Sequence, residues 1–388
     1  MRIARVLTRL NLGGPARQAL ASDPLLVQRG HRVRVFAGSP AEGEGDLFDA
    51  FAARGLDVVR VPGLSRAISI AGDVRALYGL RSELAAFAPD VVHTHASKAG
   101  VLGRRAARKL DHAARVHTFH GHVLEGYFPA TVSKGIIALE RRLARETDRV
   151  VAVSHATADD LLRLRVIEDE RKLVVVAPGI DLEPLLAIEG RDGALRELAG
   201  VADGDVLVGV VGRLAEVKRP AWALDVLEML APRYPALHVC FIGDGSERGM
   251  LERRIRGLPD GLERRAHVIG ARESMAPVLA DLDVVLLTSR SEGLPIALVE
   301  AAAAARPVIA TNVGGVGEIV AHERTGFLGT TVEELAFGLA QLLDSPPLCA
   351  AMGQRARLRV QDRYSARALA SRLEALYRGV VEERACAS

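Results

Sequence analysis

Two glutamates, Glu292 and Glu300, stand eight positions apart around the run Gly293-Leu294-Pro295. An apolar run that reads as a buried strand, Val284–Leu287, precedes them, and an alanine-rich run that reads as a helix follows. Proline is favoured at the first helical position, where its missing N–H would be unpaired anyway, so Pro295 is expected to open that helix. The free N–H groups of the helix start then face the turn, and their partial positive charge suits an anion or a hydroxyl-rich ligand. Glu292 in the turn and Glu300 more than one helical turn further on would border one pocket at different depths. A second chemical run is Gly212-Arg213-Leu214-Ala215-Glu216-Val217-Lys218, which also follows an apolar strand-like segment. Its guanidinium and ammonium are two fixed positive charges that can neutralise a pair of phosphates.

Histidines crowd two further strand ends: His93 and His95 in one, His117, His120 and His122 in the next. Neither a His-x-x-x-His on a clear helix nor a carboxylate at ligand spacing accompanies them, so a metal site is not the expectation. Their position points to lining a ligand cleft. Gly13-Gly14, followed by Pro15, can bring backbone N–H groups close to a phosphate or sugar, although the same residues also make an ordinary strand-to-helix turn. No Gly-x-Gly-x-x-Gly follows the first strand, which counts against a nicotinamide dehydrogenase. Gly243-Asp244-Gly245 and Gly270-Ala271-Arg272 are further glycine turns after apolar runs.

Positioning these groups requires many strand ends. Apolar, β-branched runs at 3–7, 33–37, 58–61, 91–93, 115–118, 150–153 and 173–176 alternate with segments of helical spacing, such as 80–88 and 135–145. That is the pattern of a parallel, doubly wound sheet. Pro178-Gly179 interrupts it, and a linker is expected near 177–181. The alternation resumes through Val206–Val211, Leu237–Ile242, 266–269, Val284–Leu287, 307–310 and 326–328. The expected division is therefore 1–178 and 179–365, with a last helix in 366–388. Ligands of open α/β sheets bind beyond the carboxyl ends of the strands, so two such sheets would face a cleft.

Composition narrows the class. The 388 residues are 49% hydrophobic, 26% charged and 4% aromatic, which describes a globular α/β chain of two ordinary domains. Lysine and arginine number 51 against 48 aspartates and glutamates, a net charge of +3, so no global polybasic character suggests nucleic acid. Cys240, Cys349 and Cys386 are far apart and outside any Cys-x-x-Cys spacing; they read as reduced structural thiols of a cytoplasmic protein. The opening residues run directly into a strand without a signal-peptide core, and no apolar run reaches the ~18 residues of a membrane span. Arg104, Arg105, Arg108 and Lys109, with Arg141, Arg142 and Arg145, form two basic clusters. They read either as solvated helix faces or as a surface that attaches the first domain peripherally to the inner face of an anionic membrane.

The glutamate pair with its Gly-Leu-Pro, the later runs Val308-Ile309-Ala310-Thr311-Asn312-Val313-Gly314-Gly315 and Thr325-Gly326-Phe327-Leu328, and the Gly-Arg-Leu…Lys segment together resemble the retaining glycosyltransferases of family four. The resemblance spans nearly the whole chain and is most specific in the second half. It implies the GT-B fold, in which two Rossmann-like domains face a cleft and the last helix packs back on the first domain. It implies that Arg213 and Lys218 stabilise the leaving diphosphate, that Glu300 holds the donor ribose, and that Glu292 contacts a sugar hydroxyl. Gly293, Leu294 and Pro295 would support the sugar or phosphate, Gly13 and Gly14 the diphosphate, and Gly245 and Arg272 the nucleotide. His120, in a His-Gly pair after the fifth strand, would orient the donor sugar. Lys98 and Tyr127 fall on the acceptor side; Lys98 reads equally as a surface lysine. Pro220 stands where a small or polar residue is frequent, which puts the local helix start in doubt.

The expected activity is transfer of a sugar with retention from a nucleotide diphosphate, UDP preferred and GDP open, to a glycan, lipid-linked or small-molecule hydroxyl. No metal or other cofactor is expected. An epimerase on the same fold, or a non-catalytic subunit that binds nucleotide sugars, are the rival expectations.

Overall fold

A computed structural model describes residues 1–40, 45–121, 124, 129–259 and 261–387. They divide into two compact units, one of 1–180 with 365–388, the other of 181–364.

In the first unit, seven strands form one parallel sheet: β1 (Arg2–Arg9), β2 (Arg32–Gly38), β3 (Asp57–Arg60), β4 (Val91–His95), β5 (Ala114–Phe119), β6 (Arg149–Ala152) and β7 (Leu173–Val175). Their order is β3-β2-β1-β4-β5-β6-β7, the doubly wound arrangement in which the chain reverses direction across the sheet at β1 and β4. Both faces are covered, which explains why the strands read as continuous apolar runs instead of alternating ones. Helices α1 (Gly14–Gln28), α2 (Ile70–Phe87), α3 (Ser97–Ala107) and α4 (Ala130–Arg145) belong to this unit. The Ser69 hydroxyl caps α2 by accepting from Gly72 N–H at 3.2 Å. The helix therefore begins ten residues before the segment that helical spacing had marked, because α2 buries only Ala76, Leu80, Leu84 and Phe87 and leaves its first turns exposed.

The C-terminal helix, Ala366–Ala387, is part of the same unit. Leu369, Ala370, Leu373, Tyr377 and Val380 pack among Ile3, Leu7, Ala19 and Leu26. Glu374 pairs with Arg29 at 3.0 Å and His31 at 3.1 Å, and Arg384 with Asp148 at 2.8 Å. Chain re-entry is fixed where Ala366 N–H donates to Ile180 C=O at 2.8 Å.

The second unit holds β8 (Val206–Val211), β9 (Leu237–Ile242), β10 (Ala266–Val268), β11 (Val284–Leu287), β12 (Val308–Thr311) and β13 (Gly326–Gly329), again parallel, in the order β10-β9-β8-β11-β12-β13. Its core draws Val208, Phe241, Leu286 and Ile309 from the strands and Leu224, Leu227, Leu335 and Leu339 from the helices. Helix α5 (Ile296–Ala303) follows β11. It starts one residue later than expected. Pro295 has an extended ψ of 111° while its carbonyl already accepts from Leu298 N–H at 3.1 Å, so it is the capping residue and not the first helical one.

Candidate functional site

In the second unit the site is built at the carboxyl ends of β8, β9 and β11. Gly212 N–H donates to Ile242 C=O at 3.0 Å, Leu214 N–H to Asp244 C=O at 2.9 Å, and Glu247 N–H to Leu214 C=O at 3.0 Å, which stitches the loop after β8 to the loop after β9. Gly245 is at φ 153°, and a Cβ there would stand 2.2 Å from Leu214 O, so only glycine allows this approach. Arg213 projects from the joined loops. It is exposed and makes no ion pair or hydrogen bond among the described residues.

Lys218 ends a short 3-10 turn, Glu216–Lys218. Backbone and side chains tie that turn to the chain after β11. The Thr288 hydroxyl lies 2.9 Å from the carbonyls of Lys218 and Arg219, Arg219 donates to Thr288 and Ser289 C=O at 3.0 and 2.9 Å, and Arg290 N–H donates to Val217 C=O at 2.7 Å. The result places Lys218 Nζ 2.5 Å from Glu292 Oε1, which also accepts from the Ser289 hydroxyl at 2.6 Å. A charge-assisted bond of this kind is among the stronger polar contacts, and here the Glu292 side chain is only 8% exposed. Pro220 caps the following helix, Ala221–Leu230, and Arg213, Lys218, Pro220 and Thr288 line one shallow concavity.

Glu300, on α5, is buried. The Gly293 carbonyl receives Gly315 N–H at 3.0 Å, while Leu294 and Pro295 are buried. Gly314 closes this corner at φ 52°, and a Cβ there would come within 1.8 Å of Glu292 O. Gly314→Ala is expected to cost about 2–5 kcal/mol, the sum of a left-handed L-residue and an overpacked contact. Denaturant unfolding checks this; an unchanged midpoint would mean the Glu292 turn yields freely. Arg272 follows β10, is half-buried, and donates to Ala271 C=O at 3.4 Å. The Cys240 thiol is pushed up to about 12 by burial, which keeps it protonated and inert.

In the first unit, Gly13 caps α1 and Gly14 is its first residue; Gly13 N–H lies 3.3 Å from Asn11 Oδ1. His120 lies at the end of β5, half-buried, with Nε2 2.8 Å from His95 Nδ1. His93, His95 and His117 are buried in β4 and β5. Burial first, then nearby positive charge, pulls His93, His95 and His117 well below the ordinary imidazole range; the same causes bring His120 down to about 3, so all four are neutral at physiological pH.

Lys98 is not a free surface lysine: it sits in the first turn of α3, paired with Asp73 at 2.5 Å and donating to Ala67 C=O. Tyr127 and His122 lie outside the described residues. The basic clusters are also changed by tertiary contacts. Arg104 is 3% exposed, holds Glu140 at 2.5 Å and donates to Gly100 C=O. Arg108 pairs with Glu146 at 2.9 Å and Arg145 with Glu168 at 3.0 Å, both at the exposed surface, so Arg104 is withdrawn from the basic clusters while these two stay on solvated helix faces.

Sequence reasoning passed over Arg5, a buried arginine inside an apolar strand, together with its partner Asp23 on α1. The signal was present: a charge in the middle of a run such as 3–7 has to meet a buried partner.

Residues 12–184 match the family model described as Glycosyltransferase Family 4, and residues 194–359 the model described as Glycosyl transferases group 1. The chain is 30% identical over 270 residues to the UDP-Gal:alpha-D-GlcNAc-diphosphoundecaprenol alpha-1,3-galactosyltransferase of Escherichia coli, covering 69% of each chain. It is 28% identical over 382 residues to the D-inositol 3-phosphate glycosyltransferase of Rhodococcus opacus (strain B4), with 89% of this chain and 81% of that one covered. Among solved structures, Anabaena Alr3699/HepE in complex with UDP-glucose superposes with a TM-score of 0.82 at 20% identity, over 98% of this chain and all of the other.

Proposed function

The chain belongs to glycosyltransferase family 4, a GT-B enzyme that acts on nucleotide sugars, and from that premise we propose that it transfers a sugar with retention from a UDP-sugar to a glycan, lipid-linked or small-molecule hydroxyl. The observation that carries the reading is the placement of Arg213 and Lys218 on one concavity, with the buried carboxylates Glu292 and Glu300 on the adjoining turn and helix. Support for UDP comes from two similar proteins: the E. coli relative's name specifies UDP-Gal, and the Anabaena protein holds UDP-glucose.

In this reading Arg213 and Lys218 meet the diphosphate. Their charge is fixed before the reaction, so it stabilises the negative charge that develops on the leaving group without a reorganisation cost. A metal ion is not required for that task. Lys218 must then share itself between Glu292 and a phosphate, and Glu292, relieved of part of that contact, turns its free oxygen to a sugar hydroxyl. Glu300 accepts from the ribose. Gly13 and Gly14 offer backbone N–H groups to phosphate, Gly293 and Leu294 support the sugar, Gly245 and Arg272 meet the nucleotide, and His120 hydrogen-bonds a hydroxyl of the donor sugar. This reading needs no side chain as a covalent nucleophile: the leaving diphosphate takes the acceptor proton while the acceptor oxygen attacks the face it leaves.

Thermal unfolding with UDP, GDP, ADP and NAD tests the donor class. A ligand at 100 times its dissociation constant adds about 2.7 kcal/mol of stability. UDP is expected to raise the Tm of wild type and to lose much of that effect in Glu300→Ala. Stabilisation by GDP alone would overturn the UDP assignment, and an undiminished UDP effect in Glu300→Ala would overturn the ribose role.

A further inference from the structure

His120 can meet a hydroxyl through a ring nitrogen that donates or through one that accepts, and the buried side chains behind it decide which. Arg5 lies in the middle of β1, its guanidinium 2% exposed. Nε and Nη2 are taken by the buried carboxylate of Asp23. Two hydrogens remain on Nη1, and two ring nitrogens face them: His93 Nδ1 at 3.2 Å and His95 Nε2 at 3.1 Å. The sheet register makes this meeting unavoidable, since Arg5 on β1 is the direct neighbour of His93 on β4.

A guanidinium only donates, so both of those nitrogens accept. Neutral His95 therefore carries its one proton on Nδ1, which lies 2.8 Å from His120 Nε2. His120 Nε2 must accept that proton's bond, which leaves the proton of His120 on Nδ1. This atom is buried and has no hydrogen-bond partner among the described residues. The neighbouring ring is set the same way: the Tyr377 hydroxyl also reaches His93 Nδ1 at 2.6 Å, and His93 Nε2 faces the Thr118 hydroxyl at 2.7 Å. His93 and His95 lie against each other with centroids 4.2 Å apart, so the fixed ring supports the relaying one.

We infer that Arg5 and His95 are positioning residues that lock His120 as an Nδ1–H donor, whose partner is an acceptor oxygen of the bound nucleotide sugar. The inference rests on the reading of His120 given above. It also specifies what His120 does not do. A nitrogen that already bears its proton cannot accept one from a hydroxyl, so His120 orients the sugar and takes no part as a base at Nδ1.

The test is a long-range proton–nitrogen correlation spectrum of the full chain labelled with nitrogen-15 in histidine, without ligand. His120 is expected with a protonated Nδ1 and a bare Nε2; a proton on Nε2 overturns the relay whatever the enzyme's activity. In His95→Gln the carboxamide oxygen can accept from Arg5 and its NH₂ can donate to His120, so tautomer and kcat/KM are expected to stay near wild type. His95→Phe fills the space without a relay. It is expected to release the His120 tautomer and lower kcat/KM roughly tenfold, the fold-change of one lost neutral hydrogen bond. Equal losses in the Gln and Phe variants would reduce His95 to a packing residue and overturn the inference. An unchanged kcat/KM in His120→Ala, with the tautomer as inferred, would instead refute the sugar contact itself, so the two failures are distinguishable.

Discussion

Arg213→Ala and Lys218→Ala should each lower turnover by ~100-fold or more, the scale of removing one preorganised electrostatic partner from a transition state. The two variants differ in everything else. Arg213 is exposed and unpartnered among the described residues, so its loss should leave the unfolding temperature of the ligand-free chain where it was. Lys218 holds the nearly buried Glu292 carboxylate, and removing it strands a charge that retains, among the described residues, the Ser289 hydroxyl alone. Stability should therefore fall by about 1–3 kcal/mol in Lys218→Ala, the penalty of an under-satisfied buried polar group. Steady-state kinetics and thermal unfolding of both variants separate these effects. Wild-type turnover should persist in a chelator, since the two side chains supply the positive charge that a metal would otherwise bring. Full activity in both variants would remove the leaving-group assignment, and loss of activity in chelator would show that the cations do not suffice.

Acid should unfold the chain well above the range in which its carboxylates titrate. His93, His95, His117 and His120 are neutral in the fold, with His120 at about 3 and the others well below their ordinary value, chiefly because burial disfavours the charged ring. The sign follows from proton linkage. Below pH ~6.5 the unfolded chain takes up protons that the folded chain refuses, so stability is complete above that pH and is lost as the pH falls toward the folded values. Each histidine removes about 1 kcal/mol over the first unit below 6.5 and about 1.4 kcal/mol per unit beyond it. Four of them together remove on the order of 4 kcal/mol in the first unit, a large share of a domain's net stability. His238 and His267, stacked in the second unit, are also lowered and act in the same direction. Urea unfolding at pH 7.5, 6.5 and 5.5 should show the midpoint dropping mainly over the last step. A flat profile would mean that the histidines titrate in the fold as they do in water.

Much of the architecture was legible because it is written locally. Continuous apolar, β-branched runs separated by helical spacing are short-range patterns, and thirteen of them placed thirteen strands to within a residue or two at each end. The loops that carry Arg213, Lys218 and the glutamate pair were legible for the same reason: each follows a recognisable strand. Even so, Pro295 proved a cap and not a first helical residue, since only the three-dimensional path fixes ψ at the helix entry.

What the amino-acid sequence determined by itself, then, was the two doubly wound sheets, the loops at their strand ends and the family to which those loops belong. The tertiary structure alone decided which charges are available to a ligand. Lys218 meets Glu292 across 74 positions, Arg104 disappears into a pair with Glu140 across 36, and Lys98 is drawn to Asp73. Arg5 reaches Asp23, His93 and His95 across 18, 88 and 90, and Tyr377 joins them from the last helix. Propensity and spacing report on neighbours within a few residues, whereas these contacts depend on sheet register and on which helix returns to which face. A charged side chain taken out of water must find its partner wherever the fold presents one, and that choice is made by geometry far beyond the reach of local pattern.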